Sequence, residues 1–225
     1  SPLVVKSALL KRILSKTSFS MASQDVRYYL NGMLLEIQGD KLNGVATDGH
    51  RLAFSSAKSG NSELDVRNIL PRKAVLELAK LLPPGETEVN LLIGPSYVEV
   101  KTENLSFSSK LIDGKYPDYD KVFPTGNPLP LEIDKETLQA ALSRASVLSN
   151  EKYRGVRFQL STNKLKLTAN NPEQESAEEE LNVDYNGTDL EVGFNIGYLL
   201  DVLNSIEGNS VNFEFYGEDS SCIIK

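Results

Sequence analysis

The chain has 225 residues, 40% of them apolar and 24% charged, with a formal net charge of −7 at pH 7. That length accommodates one large domain or two of ordinary size, each able to bury a core. No run approaches the roughly 18 consecutive apolar residues a membrane helix needs, so no such helix is expected, and a cytosolic location is.

The charges are segregated. Residues 6 to 22 carry Lys6, Lys11, Arg12 and Lys16 with no acid, whereas Glu173, Glu175, Glu178, Glu179 and Glu180 fall within eight positions. A molecule basic on one side and acidic on another can hold a polyanion locally while its net charge stays negative.

In chain order, the first helical stripe, over residues 7–21, consists of Leu10, Ile13, Leu14, Thr17 and Met21. β-rich runs follow at Met33–Ile37 and Leu42–Ala46. Pro71 suits the start of a second helix with Val75, Leu78, Ala79 and Leu82 on its apolar stripe, ended by Pro83-Pro84-Gly85. Strands are predicted at Val89–Ile93, Tyr97–Lys101 and Leu105–Leu111, and the Pro-rich segment 124–130 reads as a joint.

Beyond the joint, Asp134 is a candidate N-cap for a third helix burying Leu138, Ala141, Leu142 and Ala145. Strands are predicted at Val156–Leu160, Lys164–Ala169 and Glu178–Val183. A fourth helix after Asn195 buries Leu199, Val202, Leu203 and Ile206 and stops at Gly208. The last two strands are predicted at Val211–Tyr216 and Ser220–Lys225. Cys222 lies in the second of these and reads as a structural strand position, since a lone cysteine has no internal disulfide partner.

The second and fourth stripes match position for position at an offset of 124 residues, and the flanking strands agree. Two copies of one α+β unit are therefore expected, each with two helices packed on antiparallel sheet, over residues 1–126 and 127–225. The second copy has one strand candidate fewer at its end, and the chain starts at Ser1 without methionine. Part of a longer protein is therefore expected.

Several motifs carry a family resemblance: Gln24 to Gly32, Ala46 to Leu52, Leu111 to Tyr119, Leu148 to Arg157 and Thr168 to Glu175. Together they resemble the bacterial beta sliding clamp, the processivity subunit of DNA polymerase III, over its second domain and most of its third. The family's N-terminal domain and the last strand of its C-terminal domain have no counterpart here. The resemblance implies a DNA-replication protein without catalytic activity, cofactor or metal. It implies subunits that close head to tail as a homodimer around duplex DNA, with helices facing the channel and sheets outside.

Three surfaces follow from that resemblance. Sequence-independent contact with DNA is implied for Lys6, Lys11, Arg12, Lys16, Gln24, Tyr28, Arg72, Lys73 and Lys80. A pocket for short peptide motifs of polymerase subunits, clamp loader and repair proteins is implied for Arg27, Tyr29, Leu30, Thr47, Gly49, His50, Arg51, Leu52, Pro117, Lys121, Val122, Asn195, Tyr198 and Ser221. Leu30, Leu52, Pro117 and Val122 supply an apolar socket, and Asn195, Tyr198, His50 and Arg51 a polar rim. A dimer interface is implied for Val147, Leu148, Glu173, Glu175, Glu178 and Glu179.

Two rival functions remain at this level. An acid–base enzyme built on Asp48 and His50 has little behind it: the chain has one histidine, no Gly-rich phosphate loop and no Cys or His cluster with metal spacing. A peptide-binding module that never closes a ring is the stronger alternative.

Overall fold

Apolar residues at helical and strand spacing assemble two separate cores in the computed structural model, which describes residues 2–60 and 63–225. The chain divides into two compact units, Ser1–Pro117 and Asp118–Lys225. The expected joint at 126/127 lies downstream of this division. The short 3-10 turn Tyr119–Val122, with Tyr119 only 5% exposed, already belongs to the second unit. Proline content marked where regular structure lapses, which is not where the packing divides.

The first unit runs β1 (Leu3–Lys6), α1 (Ser7–Thr17), β2 (Gly32–Gln38), β3 (Lys41–Thr47), β4 (Leu52–Lys58) and β5 (Asp65–Pro71). It continues with α2 (Arg72–Leu81), β6 (Glu88–Ile93), β7 (Tyr97–Lys101) and β8 (Ser106–Lys110). Two antiparallel sheets form, ordered β4-β3-β2-β5 and β1-β6-β7-β8. One core joins both: Leu10, Ile13 and Leu14 of α1, Val75 and Leu78 of α2, Met33, Leu35 and Ile37 of β2, and Val89 and Val98 of the second sheet. Each fully buried leucine of this kind contributes roughly 2 kcal/mol relative to exposure.

The other face of the first sheet is covered locally. Ile112 bridges to Ile69, and the Tyr116 hydroxyl donates to the Val45 carbonyl at 3.3 Å. Burial pushes that phenol's pKa up. Gly32 to Ile37 of β2 are all buried, and the one charge among them, Glu36, accepts from Asn43 at 3.0 Å and pairs with Arg67 at 3.3 Å.

The second unit repeats the order: β9 (Leu129–Asp134), α3 (Lys135–Ser146), β10 (Gly155–Ser161), β11 (Lys164–Asn170), β12 (Ser176–Asn182), β13 (Leu190–Asn195), α4 (Ile196–Ser205), β14 (Ser210–Phe215) and β15 (Ile223–Ile224). Its sheets are β12-β11-β10-β13 and β15-β14-β9. The sheet equivalent to β1-β6-β7-β8 thus has three strands among the described residues, with no counterpart of β8. Phe158, Phe213 and Phe215 fill the core, the last two stacked with centroids 5.7 Å apart. Asp134 caps α3 as expected, accepting from the Thr137 amide, and Asn195 caps α4 in the same way, accepting from the Tyr198 amide.

All four helices fall where the stripes place them, but α1 is shorter than expected, since Ser18–Ser20 tightens into a 3-10 turn before Met21. Each unit also begins with a strand, and β1, β4, β5, β9 and β13 were not anticipated. β4 reads Leu-Ala-Phe-Ser-Ser-Ala-Lys, poor in β-branched residues, and β9 contains Pro130. Proline is tolerated there because β9 is an edge strand. The final strand shrinks from Ser220–Lys225 to Ile223–Ile224. Cys222 therefore lies just before it, half-buried, with burial raising its thiol pKa to about 12. Among the described residues no helix is long and apolar enough to cross a membrane.

Candidate functional site

The turn between β3 and β4 is held from inside by its own side chains. Thr47 and Leu52 close the ladder. The Thr47 hydroxyl donates to the Arg51 carbonyl at 2.6 Å and accepts from the Gly49 amide at 3.1 Å. The Asp48 carboxylate accepts from the amides of His50 (2.9 Å) and Arg51 (3.1 Å) and from Arg51 Nε (3.2 Å). Arg51 also donates to the Phe19 carbonyl at 2.8 Å, its guanidinium 5.6 Å from the centre of the Phe19 ring. Asp48 is thus occupied as a loop brace, which removes the basis for pairing it with His50 in acid–base chemistry.

Arg27 ties this turn to the preceding loop. Its guanidinium donates to both oxygens of Asp25, at 3.0 and 2.8 Å, and to the Asp48 carbonyl at 3.2 Å. The hydrogen bonds from Arg27 hold the Asp25 carboxyl down at about 2. Asn31 fixes the Asp25 backbone through both its amide and carbonyl, each at 2.9 Å. Between these braces lies the 3-10 turn Tyr28–Leu30. Tyr28 is 56% exposed and meets Tyr29 edge to face, whereas Leu30 is only 2% exposed. Leu30 therefore belongs to the wall behind the surface, and the apolar contribution accessible here comes from half-buried Leu52 and from Tyr29.

Arg27, Tyr29, Leu30, Thr47, Gly49, His50, Arg51 and Leu52 are thus gathered at one end of the first unit, with His50 and Gly49 exposed, and Pro117, also exposed, ends that unit. The remaining pocket candidates belong to the second unit. Val122 is 54% exposed beside Lys121, which pairs with Asp118 at 2.8 Å. Asn195 caps α4 and donates to the Tyr153 carbonyl at 3.3 Å. Tyr198 is half-buried in the first turn of that helix, and Ser221 is exposed ahead of β15. Tyr153, 67% exposed, was not selected from the sequence. Its place before β10, equivalent to that of Leu30 before β2, was the available signal. Asp25 and Phe19 were missed because contacts between loops leave no periodic trace.

Among the DNA-facing candidates, Gln24, Arg72, Lys73 and Lys80 line one open depression with Ser23, Asn31, Leu76 and Glu77. Gln24 holds a positive φ of 59°, and Arg72 donates to the Met21 carbonyl at 3.1 Å. Lys80 pairs loosely with Glu77, as Lys6 does with Glu88. On α1, Arg12 is exposed, Lys16 is half-buried, and Lys11 donates to the Leu82 carbonyl at 3.1 Å. Lysine at such sites keeps its stem packed and its head near the surface.

The interface candidates sit on and beside an edge. Val147, 79% exposed, caps α3, with Leu148 half-buried after it. Glu178 and Glu179 lie on β12, an outer strand of its sheet, and Glu173 and Glu175 lie in the turn before it. Arg144 grips Glu179 at 2.7 and 2.8 Å, and Lys166 meets Glu178 at 3.0 Å. The hydrogen bonds from Arg144 lower the Glu179 carboxyl below its ordinary value. Part of the acidic run is therefore neutralised within the chain.

Comparison with known families assigns both units. Residues 4–118 match the DNA polymerase III beta subunit, central domain, and residues 120–225 match the C-terminal domain of the same subunit. The chain belongs to the DNA polymerase III beta-subunit family. The beta sliding clamp of Pseudomonas aeruginosa is 49% identical over 221 residues, covering 98% of this chain and 60% of that protein. That of Escherichia coli is 48% identical over 218 residues, covering 97% and 60%. This beta-subunit chain thus spans about three-fifths of the length of the curated relatives it matches.

A crystal structure of the Pseudomonas aeruginosa sliding clamp with ligand superposes with a TM-score of 0.97 at 49% identity, covering 100% of this chain and 62% of that one. A second, bound to griselimycin, gives 0.96 and covers 61% of its chain. Its two units are therefore tandem α+β clamp domains, and the expected fold class stands.

Proposed function

We propose that this chain supplies two consecutive arc segments of a sliding clamp that encircles duplex DNA and confers processivity on a replicative polymerase. The observation that supports it most is the duplicated clamp domain, with strand order and helix positions repeated, combined with the gathering of Gln24, Arg72, Lys73 and Lys80 in one basic depression. Cations that touch phosphates without reading bases give sequence-independent contact weak enough to slide. The helices would face the channel. Cytoplasmic action with no catalytic step, cofactor or metal follows from this reading.

The braced turn at residues 47–52 with Tyr29 and Pro117 in the first unit, and Lys121, Val122, Asn195, Tyr198 and Ser221 in the second, are the residues proposed to contact short peptide motifs of polymerase subunits, clamp loader and repair proteins. Pre-organised polar groups around an apolar socket reduce the ordering cost of a bound peptide. Val147, Leu148 and the acids of β12 are the proposed seam of a head-to-tail homodimer. The second reading, a peptide-binding module without ring closure, is favoured only by the completeness of the turn's internal bracing, which needs no DNA.

Primer extension separates the two. A full-length clamp carrying these residues, loaded on primed circular template, is expected to lengthen the products made per polymerase binding event. Product lengths unchanged by the clamp, with peptide binding intact, would leave only the module.

A further inference from the structure

The chain contains three Asn-Gly dipeptides, Asn31-Gly32, Asn43-Gly44 and Asn186-Gly187, and their surroundings differ sharply. Asn31 is clamped on both sides of its carboxamide by the Asp25 backbone, and Gly32 lies in the ladder of β2 opposite Pro71. Asn43 is 7% exposed on the internal strand β3, donating to Glu36 at 3.0 Å, with Gly44 paired in that strand. Asn186 lies exposed in the loop between β12 and β13, its carboxamide held among the described residues by a long 3.3 Å contact to Asp184. The Gly187 amide makes no hydrogen bond among the described residues, and glycine has no Cβ to hinder the approach of that amide to the neighbouring carboxamide.

We propose that the Asn186-Gly187 turn is a site of spontaneous, backbone-mediated deamidation, giving aspartate and isoaspartate at position 186. The Gly187 backbone nitrogen, losing its proton to water, attacks Asn186 Cγ. The new C–N bond closes a cyclic imide as the carboxamide C–N bond breaks and ammonia departs. Water then opens the imide at either carbonyl, and no electrons leave or enter. The same attack is blocked at Asn31 and Asn43, where ladder pairing and side-chain hydrogen bonds hold nucleophile and electrophile apart.

The product matters to the local structure. The loop is pinned by buried Tyr185, 1% exposed, whose hydroxyl donates to the Thr188 carbonyl at 2.6 Å. A Cβ at Gly187 would lie 2.5 Å from that hydroxyl, so Tyr185 packs directly against the glycine, and an added backbone methylene at position 186 alters the spacing between Tyr185 and Thr188. The new carboxylate also arrives beside Asp184, where like charges repel.

The test is peptide mapping by mass spectrometry of the purified chain held at mildly alkaline pH, native and in denaturant. In the native sample the Asn186 peptide is expected to gain the mass of an amide-to-acid conversion and split into two chromatographic forms, while the Asn31 and Asn43 peptides stay unchanged. In denaturant all three should convert. Asn186→Gln should remove the acidic species that charge-based separation resolves in the aged native protein. Persistence of Asn186 as the amide, or conversion of Asn31 or Asn43 at an equal rate in the native sample, overturns the proposal.

Discussion

The Arg27 guanidinium occupies the space that a side chain at Gly49 would need: a Cβ built there lies 2.8 Å from Arg27 Nη1. Gly49 also holds a φ of +91°, a conformation that side-chain-bearing residues rarely adopt. Gly49→Ala is therefore expected to destabilise the first unit by roughly 1 to 3 kcal/mol and to displace Arg27 from Asp48. Urea denaturation of variant and parent measures the first effect. Unchanged stability would mean that the turn is softer than its hydrogen bonds imply.

A second expectation concerns protonation. Asp25 titrates near 2 when folded against an ordinary 3.8, so its bond to Arg27 stabilises the loop fully above pH 3.8 and is lost as pH falls towards 2. In Arg27→Ala the Asp25 carboxyl should return towards 3.8. Carboxyl NMR titration reads this directly, and an Asp25 midpoint unaffected by the substitution would remove Arg27 as the cause.

The four helices were legible because Leu10, Ile13, Leu14, Val75, Leu78, Leu138, Leu142, Leu199 and Leu203 recur at helical period and bury the predicted faces. The duplication was legible through the same residues. Strand β4 was not, since Ala53, Ser55, Ser56 and Ala57 earn their place by pairing with β3 and carry little propensity of their own. Family motifs picked out Arg27, Thr47 and Arg51 but not their braces, Asp25, Asn31 and Phe19. Leu30 looked like a socket residue because sequence cannot distinguish an apolar side chain facing a pocket from one lying behind it.

Within the proposed peptide site, the apolar members should dominate. Leu52→Ala and Val122→Ala are each expected to weaken a Gln-Leu-x-Leu-Phe-type peptide by roughly 1 to 3 kcal/mol, the range for losing a central anchor. Isothermal calorimetry on a full-length clamp carrying these residues gives the numbers. Parent-like affinity in both variants would place the peptide elsewhere.

Exposed Lys73, in the depression shared with Gln24 and Arg72, is expected to act on phosphate alone. Lys73→Ala should weaken DNA binding equally across sequences and reduce the slope of log affinity against log salt by about 1. Fluorescence anisotropy over a salt series, on two unrelated duplexes, tests it. A loss confined to one sequence would contradict backbone contact.

The central claim is that these domains hold DNA by surrounding it. The most direct measurement loads a full-length clamp carrying these residues onto circular duplex, raises the salt, and follows retention before and after one cut is made in the circle. The account predicts that the clamp stays on the intact circle and leaves once the duplex has ends. Equal loss from circular and linear DNA would contradict it.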